Sequence, residues 1–598
     1  MSEASLTGSS APSSESTTAS WPAERPLPLF VAGCALVLGI TFAIGSWELA
    51  RANGNIYVHF LFRHQFLRFD YTAIPTVVGL LLASLALSRI VSERPVQAVL
   101  GWISGHRVLF ALLSLALIAA VTPWTYQDYP LAPNEFAPVW QSRLFAAGQL
   151  FAHYPRDYVS RLVPSPGEFF KLSTVDGTII SAPWPTQAIL LTPFTMLGIP
   201  WMLDPLAAAA TLLVLAHLAE RLLPEQPLAP AWAMVLALAS PAFVLYGVSY
   251  YSSAPQLLAS VSYAALFLDP TPRRLFFAGL IGGAALALPN PFPHAAFAVP
   301  WILWLAFRRR SLTGLVALGA GYLPGFLLLG VGWAWELGRI TAAVKAAQGV
   351  QTTFLERLSA NFFNAAFGLP PTPEGRAYIL KYLAEVRVLW FCKVFLWAVP
   401  GLLFAAMFGV RWIRQNTTGR LLAWSAVSVF VAYSCQQFDQ GHGWGFRYFH
   451  PAFGALPILG AAWLTRDPAG RRWTSFFGVL TAGSLLLLVP LQLRHAHDFI
   501  AEAQTMPPAH DPQKRQWVFV DVHPIGGGAT PAQGGRYWSQ DAIRNGPFLD
   551  QPTLVLSSRT PEDDAAMVQS FHPGAKRIVS NTHGTVWALP PLEDDARR

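Results

Sequence analysis

Apolar runs of roughly 20 residues, the length that crosses a bilayer as a helix, recur along most of this chain. They lie at 28–47, 71–92, 107–124, 203–222, 231–249, 254–269, 275–288, 292–307, 311–333, 387–410, 420–437, 449–465 and 472–492. Read together they predict an all-α polytopic membrane protein with about 13 spanning helices. The pattern changes near residue 493. Beyond it come short β-like runs at 517–522, 554–557 and 585–589, a polar helix over 561–571 and a glycine turn at 526–528. This predicts a small soluble α/β domain over 493–598. Residues 1–27 open on a Ser/Thr-rich stretch with neither a basic start nor an apolar run, which reads as a disordered tail rather than a cleaved signal.

The polar gaps supply an orientation. Arg273–Arg274, Arg308–Arg310, Arg411 with Arg414 and Arg420, and Arg466 with Arg471 and Arg472 fall between alternate runs. Placing those loops in the cytoplasm puts the N-terminus inside and the C-terminal domain outside. Two long loops, 125–202 and 334–386, then also lie outside. The apolar run 186–202 must stay on that side, as a helix in the interface. Composition agrees with this class: 53% of the residues are apolar and 12% charged, whereas soluble chains carry about twice that charge. The three cysteines, Cys34, Cys392 and Cys435, are too scattered for a metal spacing or a disulfide frame. The net charge of +8 sits largely in the short arginine loops, so it is no nucleic-acid signature.

Candidate chemistry gathers at the expected outer face. Asp128 and Glu135 follow the third run, and Phe136, Val139, Trp140, Leu144 and Phe145 continue from Glu135 at helical spacing. Glu135 would therefore open an amphipathic helix, as a helix-capping acid or as a general base. Arg447 lies in the loop 438–448, among Gly441, Gly443 and Gly445, with His442, Tyr448 and His450 beside it. It could snorkel at the interface or grip a phosphate. Lys393 falls inside an apolar run, where a charge defaults to a functional reading. His294 follows a proline-rich turn. No Walker loop, HExxH or CxxC occurs, and we expect neither metal nor cofactor.

Several segments resemble the GT-C superfamily of membrane glycosyltransferases, in the bacterial branch of the aminoarabinose and protein O-mannosyl transferases. They are Asn134-Glu135-Phe136 with Gln141 and the run 144–150, the stretch 181–186, SPAFVLYGVSYYSSAP (240–255), GLIGGAALALPNPFPHAAFAVP (279–300) and, the best match, GHGWGFRYFHPA (441–452). The resemblance spans about 107–465; the runs at 28–47 and 71–92 are additional. In the family an Asp-Glu pair follows the first span. Here Asn134 stands where Asp is usual, so the base falls to Glu135 or Asp128. Ala254 stands where His is common, and Asn290 where Arg is common.

The resemblance implies transfer of a sugar from a polyprenyl-phosphate donor to a glycan, lipid or protein acceptor, with inversion. Arg447, with Lys393, His442 and His450, would hold the donor phosphate; Asn134, His294 and Tyr448 are further site candidates. The Ala-, Leu-, Pro- and Arg-rich, Lys-poor composition suggests a high-GC bacterium, so we expect a multi-pass protein of a bacterial inner membrane with a periplasmic site, membrane lipids as its surroundings and no nucleic-acid partner. Two alternatives stay open: a lipid or glycan transporter, and an inactive GT-C-like assembly protein. A transporter needs ionisable groups near the midplane, whereas the spans read as nearly free of acids.

Overall fold

The computed structural model describes residues 26–51, 61–164, 166–353, 356, 373–436, 440–521 and 539–590. The 1–20 stretch and the 526–528 turn lie outside them. Helices dominate. Among the described residues, six are long and apolar enough to cross a membrane: Leu27–Arg51, Leu61–Leu87, Arg107–Tyr126, Pro200–Leu222, Leu312–Ala347 and Thr474–Gln504. A seventh span forms if the pair Ala229–Leu238 and Pro241–Gly247, bent by 69°, crosses as one. The chain is thus a multi-pass membrane protein.

The remaining apolar runs form helices that are shorter or, like the 24-residue Pro373–Leu396, carry too many charges, so the expected count of about 13 full spans is not reproduced among the described residues. Proline explains the bent pair. Pro241 has no N–H to give the preceding turn, and the Ser240 hydroxyl instead bonds Leu236 O at 2.7 Å and receives Val399 N–H at 3.1 Å. The 387–410 run is likewise two helices, Pro373–Leu396 and Leu402–Ile413, broken at Gly401, whose φ is +81°. That conformation suits glycine.

Other boundaries move. The second long helix begins at Leu61, ten residues before the apolar run that announced it. The Leu312–Ala347 helix carries far past residue 333, so much of the expected loop 334–386 is helix. The last membrane helix continues to Gln504, beyond the composition shift at 493. A 13-residue amphipathic helix, Glu93–Gly105, is too polar to show as an apolar run. The interfacial run becomes Thr186–Met196 and a short turn at Pro200–Met202.

The 125–202 segment folds. It contains the helix Pro133–Ala146 and a three-stranded sheet of order β1-β3-β2, from β1 (Ala152–His153), β2 (Phe170–Leu172) and β3 (Thr178–Ser181). The C-terminal domain carries β4 (Gln516–Val520), β5 (Thr553–Ser557), β6 (Lys576–Asn581) and β7 (Gly584–Ala588) in the order β5-β4-β7-β6. β4 pairs parallel with β5 and antiparallel with β7. The helix Pro561–Phe571 joins β5 to β6. Strand β6 has no apolar alternation and is mostly exposed, so no hydrophobic pattern announced it.

These two parts share one core. Trp140, Leu144, Tyr154, Tyr158 and Phe170 of the first pack with Trp517, Phe519, Leu556, Val568 and Trp587 of the second. A buried ion pair, Arg161 to Asp564 at 2.6 Å, ties them as well.

Candidate functional site

Glu135 is fully buried, 0% exposed. It sits three residues into the Pro133–Ala146 helix, and its carboxylate accepts two backbone N–H groups. Ala132 N–H donates to Oε2 at 2.9 Å and Tyr250 N–H to Oε1 at 3.0 Å. The first bond is the usual reach of an acid in the first turn back to its own helix start. The second comes from another part of the chain. The Tyr126 hydroxyl also bonds the carboxylate. No Lys, Arg or His side chain forms an ion pair with Glu135 among the described residues. Burial is the largest influence and pushes its pKa up to about 7, against the opposing pull of those hydrogen bonds and of Arg544.

The residue after Tyr250 leads to the cation. The Arg447 guanidinium lies 5.2 Å from the centre of the Tyr251 ring and 4.8 Å from that of Tyr448. Its Nη2 donates to the Tyr448 hydroxyl at 2.9 Å. Among the described residues it has no carboxylate partner. Its backbone N–H donates to Gln440 Oε1 at 3.0 Å, and Gln440 Nε2 donates back to Gly445 O at 2.7 Å. Thus the loop folds on its own glutamine and holds the guanidinium against tyrosine faces. Adjacent residues, Tyr250 and Tyr251, hold the acid on one side and the cation on the other.

Aromatic bonds stiffen the surrounding wall. Trp444 Nε1 donates to the Tyr126 hydroxyl at 2.6 Å, and the Tyr246 hydroxyl donates to Trp444 O at 2.5 Å. Tyr448 stacks on Tyr433 at 4.3 Å, and Asn290 Nδ2 donates to the Tyr433 hydroxyl at 3.1 Å. Asn290 therefore serves the tyrosine wall from the place where the resembling family has an arginine.

The other expected residues divide. Tyr448 and His450 belong to the cluster. The His450 ring is 4.4 Å from that of Tyr246, and neither of its nitrogens has a hydrogen-bond partner among the described residues. His442 is turned to the C-terminal domain, its Nε2 3.0 Å from Asp541 Oδ2. His294 stands apart, with Nε2 2.9 Å from the Tyr322 hydroxyl and its ring against Tyr263. Asp128 is exposed at the left-handed end of the Arg107–Tyr126 helix, with φ of +51°. Asn134 is half-buried beside Glu135.

Lys393 requires a correction. It is 1% exposed and paired with Asp70, which is 0% exposed and also accepts from Trp397 Nε1 at 2.6 Å. The lysine's charge is already met inside the bundle, so it is not free for a donor phosphate. Asp70 also corrects the expectation of nearly acid-free spans, as does buried Glu48 on Pro26–Arg51, 3.5 Å from Arg63.

Sequence reasoning passed over four participants. Tyr250 and Tyr251 lay within a quoted motif but carried no role. Asp70 immediately precedes an apolar run, and an acid there is the natural partner for an intramembrane lysine. Asp204, in the first turn of Leu203–Leu222, is 2% exposed. Both its carboxylate oxygens lack a hydrogen-bond partner among the described residues, and it lies near enough to Glu135 and Tyr250 to interact with them electrostatically. No group of three or more metal-ligating side chains occurs among the described residues.

No family model and no curated protein matches this chain. Solved structures do. The chain is similar to ArnT from Cupriavidus metallidurans bound to undecaprenyl phosphate, with a TM-score of 0.47 and 12% identity over 81% of this chain and 99% of that one. It is similar to the apo state of the same protein at 11% identity, over 80% and 99%, with a TM-score of 0.47. It is also similar to the mycobacterial arabinofuranosyltransferase AftD at 14% identity, over 80% of this chain and 40% of that one, with a TM-score of 0.37.

Proposed function

We propose that this chain is a glycosyltransferase of the GT-C type, which takes a sugar from a polyprenyl phosphate and passes it to an acceptor hydroxyl or amine. One observation carries the reading. Among the described residues, a buried carboxylate with no ion-paired cation and a guanidinium with no carboxylate partner are held by the adjacent residues Tyr250 and Tyr251. An acid raised to about 7 suits a general base near neutral pH. An arginine that meets only tyrosine hydroxyls and ring faces, and no carboxylate, among the described residues suits a phosphate. The glycine-rich 441–452 segment that resembles the family supplies that arginine.

The reaction follows from these two groups. Glu135 removes the acceptor's proton as the acceptor attacks the anomeric carbon. The bond between that carbon and the phosphate oxygen breaks, and the electron pair leaves on the polyprenyl phosphate. Arg447 offsets the charge that develops there. A single displacement of this kind inverts the anomeric centre. Asp128 lies near enough to Tyr250 to act on it electrostatically, but it is exposed and takes none of the hydrogen bonds that hold Glu135, which makes it the weaker candidate for the base. The orientation drawn from the arginine loops puts this chemistry at the periplasmic face of a bacterial inner membrane, with the N-terminus in the cytoplasm. The acceptor is a glycan, lipid or protein of the envelope.

The test is turnover. Purified full-length protein in vesicles is offered a panel of labelled polyprenyl-phosphate sugars with envelope extracts as acceptor. Transfer that Glu135→Gln abolishes supports the reading. If no donor is consumed by the wild type, and Glu135→Gln leaves cells unchanged, the transferase reading fails.

A further inference from the structure

We infer that a short segment of the C-terminal domain, residues 541–546, is a working part of the site, with Arg544 as the positioning residue that sets the turn carrying Glu135. The catalytic half of this inference rests on the transferase reading; the positioning half does not.

Glu135 depends on the backbone just before it. Its Oε2 is held by Ala132 N–H, so the carboxylate moves if the turn 130–132 moves. The helix fixes its Ala132 end, whose O accepts from Glu135 N–H at 2.8 Å and Phe136 N–H at 2.9 Å, but Pro130 and Leu131 have no such backbone partner among the described residues. Pro130 and Pro133 lack an N–H group to donate. Arg544 supplies the missing restraint. Its guanidinium donates to Pro130 O through Nη1 and to Leu131 O through Nη2, the latter at 2.5 Å. The fork is stacked 3.9 Å from the Tyr129 ring and 5.4 Å from that of Phe136. Residues on both sides of the turn therefore sandwich the guanidinium. Two carbonyls taken by one planar fork is a geometry that arginine provides and lysine cannot.

The segment itself is anchored on every side. Arg544 Nε donates to Asp541 O at 2.7 Å. Asn545 Nδ2 donates to Leu162 O at 2.8 Å and to Val555 O at 2.7 Å, and Val555 N–H donates to its Oδ1 at 2.9 Å. Gly546 O accepts from the Tyr154 hydroxyl at 2.8 Å. Asp541, three residues before the arginine, meets His442 in the loop that carries Arg447. One segment thus touches both the turn that positions the acid and the loop that positions the cation. Their separation is set from the C-terminal domain, not only by the helices beneath.

The experiment uses the full chain with Arg544→Gln and Arg544→Lys. Two readouts are taken: kinetics with a polyprenyl-phosphate sugar, and hydrogen exchange of peptides covering 127–136. Arg544→Gln should lower kcat by about 10- to 100-fold while KM for the donor changes less than about threefold, because a displaced base harms the displacement more than binding. Arg544→Lys, which keeps the charge but loses the fork, should fall between. Exchange in 127–136 should quicken about tenfold in Arg544→Gln, with β4 and β7 still protected. Unchanged exchange in 127–136, or unchanged kcat beside an active wild type, overturns the inference. If no variant and no wild type turns over donor, yet 127–136 loosens, the positioning stands and the transferase reading is what falls. General loss of β4 and β7 protection in both variants would mark Arg544 as a folding residue only and also overturn it.

Discussion

At the scale of single residues, the site rests on how burial and partners divide charge. Glu135 is held by two backbone N–H groups and a tyrosine hydroxyl, with no ion-paired cation among the described residues. Removing its proton-accepting power while keeping its shape, as in Glu135→Gln, should cost turnover by about 10²- to 10⁴-fold, the usual worth of a general base. Donor binding, read by tryptophan quenching, should hold. The pH profile has a definite sign. A base works only when ionised, so kcat/KM should rise with pH through about 7 and then level. Stability runs the other way. The folded pKa lies above that of the unfolded chain, so the native state holds the extra proton between about pH 4.5 and 7 and unfolding becomes easier as pH rises through that window. Thermal midpoints measured from pH 5 to 8 should fall in the wild type, and this part of the slope should vanish in Glu135→Gln. Arg447 makes a separate prediction. Arg447→Ala should weaken polyprenyl-phosphate binding by about 10- to 100-fold, as loss of a charge-assisted hydrogen bond of about 1.5–3 kcal/mol requires. Equal binding by the wild type and the variant would remove Arg447 from the donor site.

At the scale of elements, polar and small residues hold the helices together, because lipid offers no hydrophobic drive between them. Lys393 of Pro373–Leu396 meets Asp70 of Leu61–Leu87, which fastens the additional N-terminal helices to the bundle. Breaking a buried pair leaves one charge without a partner and costs about 3–5 kcal/mol. Asp70→Asn and Lys393→Met should each lower the thermal midpoint in detergent, and the double variant should recover much of the loss. Additive losses would mean that the two groups do not depend on each other. The pair also shows where sequence reading stops. The apolar pattern announced both helices and the lone lysine. It could not show that the second helix starts at Leu61, since Arg63, Arg68 and Asp70 interrupt the run and find their partners only in three dimensions. Backbone approach was hidden in the same way. A Cβ at Gly321 would lie 2.0 Å from Phe276 O, and one at Gly279 2.1 Å from Leu318 O. These glycines let the helices Pro272–Leu286 and Leu312–Ala347 touch along their backbones, a contact that no hydrophobic count reports.

At the scale of the whole molecule, the two sheet-bearing parts come from distant stretches of chain and pack on one another. Glu135 and Arg447 stood out in the sequence because each is charged beside an apolar run, and each takes part in the cluster. Their holders did not stand out. Tyr250 contributes a backbone N–H, which any residue has, and Arg544 lies far along the chain in a segment with no motif. Trp140, Tyr158, Trp517 and Trp587 share one core, so the sheet that follows the composition shift near 493 packs against the 125–202 segment and is not an independent unit. The orientation of these parts is the remaining large-scale question, and the arginine loops give it a sign. Ser570 is exposed on the helix Pro561–Phe571, and among the described residues its hydroxyl bonds only its own helix, at Met567 O. Ser570→Cys therefore offers a thiol at little cost to the fold. The native cysteines are first replaced by serine or alanine so that one thiol remains. A membrane-impermeant maleimide should label Ser570→Cys in intact spheroplasts, whereas a cysteine placed at Arg309, in the opposite set of loops, should react only after the membrane is opened. The reverse pattern would put the C-terminal domain in the cytoplasm. Glu135 and Arg447 would go with it, since Arg544 and Asp541 tie both of their loops to that domain, and the acceptor would then have to be sought among cytoplasmic molecules.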